Sequence, residues 1–409
     1  MAHYVASERF ESRRSPVTGG EFEAMTSRCV ACAGTDWRQL PQPATEMMAT
    51  TAGRLVANNF GKSQCPHCGA VQKVDGRRLA DTLYYEREYT YYDRPGAVVF
   101  DVTRYRALAL WIKDAVAPWR PASVFDVGCG RGGTMRFLRE VWPDATFAGI
   151  EPSADAVAAA RASGFDIREG RLTADTHVSD KFELVFSNNV LQHTTDPVEF
   201  IRRQARLLSP NGKLVLSCPD GTKPNVELLM VDQNFSLQPP HLRAIAAAAG
   251  MCVERCLPCP DGPLHNEQLV VLRPGGGDSE GTNTRALTQK SIDDMYADLR
   301  SYLQNWSRLD DHLSKAVAGA QRVFNFGGGL WSYALAAYCP KYWSQVECCL
   351  VDGFGGQCIG KEVKPFESMA LTPSDILVLG TNPYVQPKLT ARFAGAGLRA
   401  VAWNEIVSD

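Results

Sequence analysis

The sequence predicts an α/β fold: a doubly wound sheet at its centre, a small cysteine-knuckle module before it and a smaller α/β domain after it. Three observations carry this expectation. Apolar, β-branched segments alternate with helical ones across residues 120–273, the pattern of a parallel sheet with helices on both faces. Two Cys-x2-Cys pairs, Cys29/Cys32 and Cys65/Cys68, come earlier in the chain. A second strand, glycine run and helix begins at Val323.

Composition narrows the class. A chain of 409 residues is long for one core, so two or three domains are expected. Hydrophobic residues make up 45%, enough to bury them. No apolar run reaches the roughly 18 residues of a membrane span, and Met1 to Ser15 is polar and charged, without a signal-peptide core. A cytoplasmic chain is expected, with no membrane partner. A net charge of -2 speaks against a broad nucleic-acid surface. Thirteen cysteines in such a chain read as metal ligands and small buried hydrophobes rather than as a disulfide framework. The sequence leaves the oligomeric state open, a monomer included.

Taken in order, the two knuckles each present a pair of thiolates to one tetrahedral Zn²⁺, and Cys29, Cys32, Cys65 and Cys68 fill all four positions. Such a zinc has no open position and is structural, stabilising a module (20–82) whose own core is thin. His67, inside the second knuckle, is expected at the surface. A connector and lid helix (83–119) follows, opening with five tyrosines between Tyr84 and Tyr92. These either pack the module on its neighbour or form a lid over a substrate, since tyrosine offers a flat ring and a hydroxyl. Val98 to Val116 has helical spacing, with Arg104, Arg106 and Lys113 between its apolar residues.

The centre of the chain is Val124-Phe125-Asp126-Val127-Gly128-Cys129-Gly130-Arg131-Gly132-Gly133 followed by a helix over Thr134 to Val141, a strand, tight turn and helix N-terminus in one piece. Alternate glycines let the backbone approach a nucleotide closely. The next strand, Ala145 to Ile150, ends in Glu151-Pro152, where an acid on ribose hydroxyls belongs. This residue order resembles motif I and the acidic motif of class I S-adenosylmethionine (SAM)-dependent methyltransferases. The resemblance implies a class I methyltransferase sheet over 120–273. It implies that Gly128 and Gly130 admit SAM, Glu151 holds its ribose and Asp126 orients the loop and the amino-acid end. After the third strand, Phe165 to Arg168, the family often places an acid on the adenine; here the segment reads Glu169-Gly170-Arg171-Leu172, so either Glu169 substitutes or Arg171 has displaced the acid, with Leu172 also counted among the cofactor-binding residues.

The fourth strand, Phe182 to Ser187, runs into Asn188-Asn189-Val190-Leu191-Gln192-His193, at the carboxyl edge where ligands bind, with Asn188 beside the methyl group. His193 is either a general base, since imidazole titrates near neutral pH, or a tie within its loop. Pro197 starts a helix, Asn211-Gly212 turns the chain, and Lys213 to Ser217 is the fifth strand. Asp220 sits at a strand end but in ordinary turn chemistry. Asp232, Asn234 and His241 are candidates for gripping an acceptor. Cys252, Cys256 and Cys259 have iron–sulfur spacing, yet Met251 to Leu257 alternates like a sixth strand paired with Glu267 to Leu272.

A glycine-rich joint over Pro274 to Gly281 leads to a long amphipathic helix (285–320), one piece or two, and a C-terminal Rossmann-like domain (321–409). Gly327-Gly328-Gly329 there either binds a phosphate or makes a tight turn.

This order of modules resembles the deoxysugar C-methyltransferases of antibiotic biosynthesis, whose Asn-Val-Leu-x-His-x-x-Asp pattern is matched at Asn189, Val190, Leu191, His193 and Asp196. It implies methylation of a small acceptor, a nucleotide-sugar or glycoside, enclosed with help from the C-terminal domain. The family's Tyr-His-Glu-His segment, which carries the base for carbon methylation, is absent; Val231-Asp232-Gln233-Asn234 stands in its place. Carbon, oxygen or nitrogen therefore remain open as the atom methylated. The expected base is His193, with Asp232 and Tyr92 behind it. The rival readings are an RNA methyltransferase using the zinc module to hold RNA, and a SAM-binding scaffold without catalysis.

Overall fold

The structure, a computed structural model, describes residues 28–406 apart from 44, 46, 77, 82, 90–96, 261, 265, 276–286 and 354. The central sheet consists of β1 (Ser123–Val127), β2 (Thr146–Glu151), β3 (Asp166–Glu169), β4 (Phe182–Asn188), β5 (Leu208–Pro219), β6 (Met251–Pro258) and β7 (Glu267–Pro274). Their spatial order is β6-β7-β5-β4-β1-β2-β3. The sheet is mixed rather than wholly parallel: β7 is antiparallel to both β5 and β6. The β6–β7 connection is too short to carry a crossover helix, so the two strands form a hairpin. β5 also begins earlier than expected, at Leu208, and a register shift between Leu208 and Lys213 absorbs Asn211-Gly212 into the strand.

Alternation along each strand sorts the core into two layers. Val124, Leu184, Phe186 and Val215 face α1 (Ala97–Val116), α2 (Gly133–Val141) and α3 (Ala154–Ala162). Phe125, Val127, Val185, Leu214 and Leu216 face α4 (Pro197–Ala205) and α5 (Pro239–Ala248). Pro197 at the first turn and Asp196, whose carboxylate accepts the Glu199 N–H, start α4 cleanly.

The cysteine module is a four-stranded sheet whose fourth strand is borrowed. Arg38–Gln39, Lys62–Gln64 and Val71–Lys73 pair in that order, and Phe235–Ser236 from the central domain adds antiparallel to Val71–Lys73. A hairpin of Met47–Ala49 with Leu55–Ala57 lies beside it.

The long helix is one piece, α6 (Gln289–Ala316), capped by Thr288. Beyond Gly275 the glycine-rich joint lies outside the described residues. The last domain contains β8 (Val323–Phe326), α7 (Leu330–Tyr338), α8 (Pro340–Gln345), β9 (Val346–Val351), β10 (Gly356–Cys358), β11 (Lys361–Pro365), β12 (Ile376–Leu379), α9 (Gln386–Gly395) and β13 (Arg399–Val401). Its order is β10-β11-β9-β8-β12-β13, parallel except for the β10–β11 hairpin, which has no counterpart among the expected strands. One hydrophobic cluster joins this domain to the rest: Met48 and Ala49 of the cysteine module, Leu229 and Met230 of the central domain, Trp306 of α6 and Tyr333 and Tyr338 of α7 pack together. Among the described residues no helix is long and apolar enough to cross a membrane.

Candidate active site

A cleft of about 390 Å³ opens at the carboxyl edge of β1, β2 and β4. Asp126, Gly128, Gly130, Glu151, Leu172 and Asn188, all anticipated from the sequence, line it. Gly128 adopts φ +78, and a Cβ there would stand 2.6 Å from Val190 Cγ2, so only glycine lets the loop pass under Val190. Glu151 is 3% exposed; its Oε2 accepts from Gly130 N at 2.9 Å and its Oε1 from Ser153 N at 3.0 Å, which fixes the carboxylate at the mouth of the glycine loop. Asp126 is equally buried, and its Oδ1 has no hydrogen-bond partner. Burial, with the Glu151 charge nearby, holds its carboxyl well above the usual carboxylate range. A cation between the two acids would relieve that repulsion. Glu169, by contrast, is exposed at the end of β3 and does not line the cleft; Gly170, Arg171, Leu172 and Thr173 form that part of the wall.

The other end of the cleft combines three parts of the chain. His193 sits in a short turn after β4, 8% exposed. Its Nδ1 is 2.8 Å from the Asp232 carbonyl oxygen and 2.9 Å from Tyr85 Oη. A carbonyl only accepts, so the proton belongs on Nδ1 and the Nε2 lone pair is left for chemistry. The Asp232 carboxylate does not reach the cleft: Oδ1 accepts from Thr51 N at 2.9 Å, Oδ2 from Thr51 Oγ1 at 2.5 Å, and its side chain is fully buried behind His193. The Asp232 carbonyl thus orients the imidazole, while its carboxylate, expected as a second base, does not line the cleft. Tyr92 lies outside the described residues.

The tyrosine-rich connector divides its work. Tyr84 is buried and its hydroxyl donates to Thr50, whereas Tyr85 and Tyr89 line the cleft with their rings 5.2 Å apart. Arg104 of α1, Glu227 and Gln233 also line it, as does Leu330 at the start of α7. None of these four was singled out as a site residue from the sequence. Arg104 looked like one more polar residue on an amphipathic helix, but it is buried and ion-paired with Glu267 of β7. Glu227 lies in a one-turn helix, Val226–Leu229, and burial with the charges of Asp232 and Glu267 pushes its carboxyl up to about 7.

Asn234 and His241 turn out to hold the structure rather than an acceptor. The Asn234 amide donates to the His193 and Thr194 carbonyls. His241 Nδ1 accepts from Gln238 N, so Nε2 carries the proton and donates to Cys68 O at 2.7 Å. The Asp220 carboxylate accepts from Thr222 within its own turn.

The sulfurs of Cys29, Cys32, Cys65 and Cys68 lie within 4.8 Å of one another, with two pairs at 3.5 Å. A tetrahedral zinc with bonds of about 2.3 Å requires sulfurs about 3.8 Å apart, so the geometry fits. The two knuckles repeat each other: Ala33 N donates to Cys29 O and Gly69 N to Cys65 O, with Ala33 and Gly69 at φ 60 and 83. His67 is exposed and paired with Asp36, as expected of a residue outside the ligand set. Among the described residues no other group of cysteines and histidines comes together, and Cys252, Cys256 and Cys259 do not meet.

Residues 100–250, which span the glycine loop and five of the seven strands of the central sheet, match the family model described as a methyltransferase domain. Two curated relatives illustrate the likeness. A trans-aconitate 2-methyltransferase of Rhodopseudomonas palustris (strain BisA53) is 30% identical over 142 residues, 34% of this chain and 52% of that protein. A ubiquinone biosynthesis O-methyltransferase of Azorhizobium caulinodans is 23% identical over 130 residues, 30% of this chain and 51% of that protein. The chain thus spans about half the length of the curated relatives it matches. Among solved structures, CalO1, a methyltransferase in calicheamicin biosynthesis in its SAH-bound form, has a TM-score of 0.38 at 18% identity, covering 49% of this chain and 64% of that one.

Proposed function

We propose that this chain transfers a methyl group from SAM to a small acceptor, sugar-containing or nucleotide-linked, with His193 as the base and a structural zinc on Cys29, Cys32, Cys65 and Cys68. The observation that carries the reading is a single cleft with a buried carboxylate pair and glycine loop at one end and an oriented imidazole at the other. SAM supplies an electrophilic methyl on a sulfonium centre. The residues present suit it: Asp126 keeps an unpartnered buried oxygen, and Glu151 is fixed by two amides where ribose hydroxyls would come. The protein's part is to align acceptor and methyl group within about 3–3.5 Å and to remove a proton. His193 takes that proton at Nε2, since Asp232 O holds Nδ1–H. Tyr85 and Tyr89 offer ring faces to a sugar.

Native mass spectrometry before and after adding SAM and a panel of nucleotide-sugars and glycosides tests the reading. One zinc and one SAM per chain, with a further acceptor adduct, are expected; absence of the SAM adduct refutes it. With an acceptor in hand, His193→Ala should lower kcat by about 10²- to 10⁴-fold while SAH affinity is retained. Near-normal turnover at every pH would remove His193 as the base.

A further inference from the structure

We infer that the acceptor end of the cleft is a subsite for an amino group, formed by Glu227, Gln233 and Gln192, so that the molecule methylated is an amine-bearing one. This rests on the methyltransferase reading above and goes beyond it in naming the chemistry of the acceptor.

The argument is a count of donors and acceptors along the wall. Gln192 and Gln233 both line the cleft and are 3% exposed. Their amide nitrogens are committed: Gln233 Nε2 donates to Glu227 Oε2, and Gln192 Nε2 to Asn189 Oδ1 at 3.3 Å. Those contacts fix which end of each amide is nitrogen, and each Oε1 is left buried without a donor. Glu227 Oε1 likewise takes no hydrogen bond from the described residues. The donors nearby are already engaged: Arg104 with Glu267, Arg171 with Glu86, Arg203 with Glu199, Tyr85 Oη on the Asp232 carbonyl at 3.5 Å and Thr51 on the Asp232 carboxylate. Lys62, the ammonium closest to this turn, gives its protons to the carbonyls of Leu228 and Met230 at 2.6 and 2.9 Å.

The wall therefore offers three acceptor oxygens, one of them on a carboxylate, while Arg104, Arg171 and Arg203 are matched by acids and Lys62 by backbone carbonyls. A phosphate or carboxylate on the ligand would meet acceptors only. An ammonium group is the complement, since it has three donors and no acceptor. Glu227 also changes protonation near neutrality, so it can bind the amine as an ion pair or accept a proton from it.

The test compares D-glucosamine with D-glucose as probes on the full-length, zinc-loaded protein saturated with SAH, by calorimetry or ligand-observed NMR. Glucosamine should bind about tenfold to a hundredfold more tightly, the worth of a charge-assisted hydrogen bond. Glu227→Gln should bring the two sugars within about threefold with SAH affinity unchanged. Should that variant fail to bind SAH, Gln192→Met should reduce the preference severalfold. Equal affinity for the two sugars, failure of both to bind the SAH-loaded protein, or a preference that survives in Glu227→Gln overturns the subsite. Failure of SAH to bind the unmutated protein overturns the methyltransferase reading, and the subsite with it.

Discussion

Replacing Glu151 separates a ribose contact from a loop support, because its carboxylate is placed for both. A carboxylate accepts about four hydrogen bonds, and here the Gly130 and Ser153 amides take one on each oxygen. If two ribose hydroxyls donate to the same group, each charge-assisted bond is worth about 1.5–3 kcal/mol, so Glu151→Ala should weaken SAH binding by about 10²- to 10⁴-fold. Alanine also strips the acceptor from two backbone amides, Gly130 of the glycine loop and Ser153 after β2, at about 1–3 kcal/mol each, and should lower the melting temperature. Glu151→Gln keeps one acceptor oxygen and removes the charge that helps hold the Asp126 carboxyl above its usual range. Its fold should survive, and its SAH affinity should fall between wild type and alanine. Isothermal calorimetry with SAH, paired with thermal melts, reads both effects. An alanine variant that melts normally and binds SAH within about threefold of wild type would sink the ribose assignment.

The metal makes a second prediction: thiol titration in the presence of a zinc-binding dye should release one zinc per chain. Hydrogen exchange should then accelerate over residues 226–241, which the module grips, and stay slow over 123–151; uniform loss of protection would contradict that division. Stability should also depend on pH in two opposite limbs. Glu227 is raised from 4.5 to about 7, so the folded chain holds a proton the unfolded chain has released, and stability from this group falls as pH rises from 4.5 to 7, by at most about 3 kcal/mol. Lys62 is lowered from 10.5 to about 7 by burial, so the unfolded chain binds the extra proton and stability rises from pH 7 to 10.5, by at most about 5 kcal/mol. Urea titrations across this range should lose the first limb in Glu227→Gln and the second in Lys62→Met; limbs unchanged in the variants would refute the assignment.

The half of the cleft built on the glycine loop was legible because backbone geometry dictates residue type there: Gly128 at φ +78 under Val190, and an acid at the end of β2. The cysteine cluster was legible for a similar reason, since two knuckles must turn in the same way to aim four sulfurs at one point. The acceptor half was not. Arg104 has the spacing of a polar residue on an amphipathic helix, and only its pairing with Glu267 of a distant strand makes it part of a site. Glu227 belongs to a single turn, and its raised carboxyl comes from burial and from the charges of Asp232 and Glu267, all of which only tertiary structure supplies. Asp232 was misplaced because a carboxylate in a loop reads as accessible, while Thr51, 181 residues earlier, closes it off. Phe235–Ser236 is too short a strand to show periodicity at all.

These failures share a physical cause, which also explains the domain order. Between Asn225 and Gln238 the chain has one helical turn and one two-residue strand, too little regular structure to hold a wall of the cleft by itself. The cysteine module supplies the partners. Lys62 binds the carbonyls of the helical turn, Ala49 O accepts Val231 N, Thr51 fixes Asp232, Val71 and Gln72 pair with Phe235 and Ser236, and Cys68 O receives His241. From the other side, Tyr338 of α7 donates to Leu229 O. The glycine-loop half of the cleft needs none of these contacts, because β1, β2 and their helices already fix it.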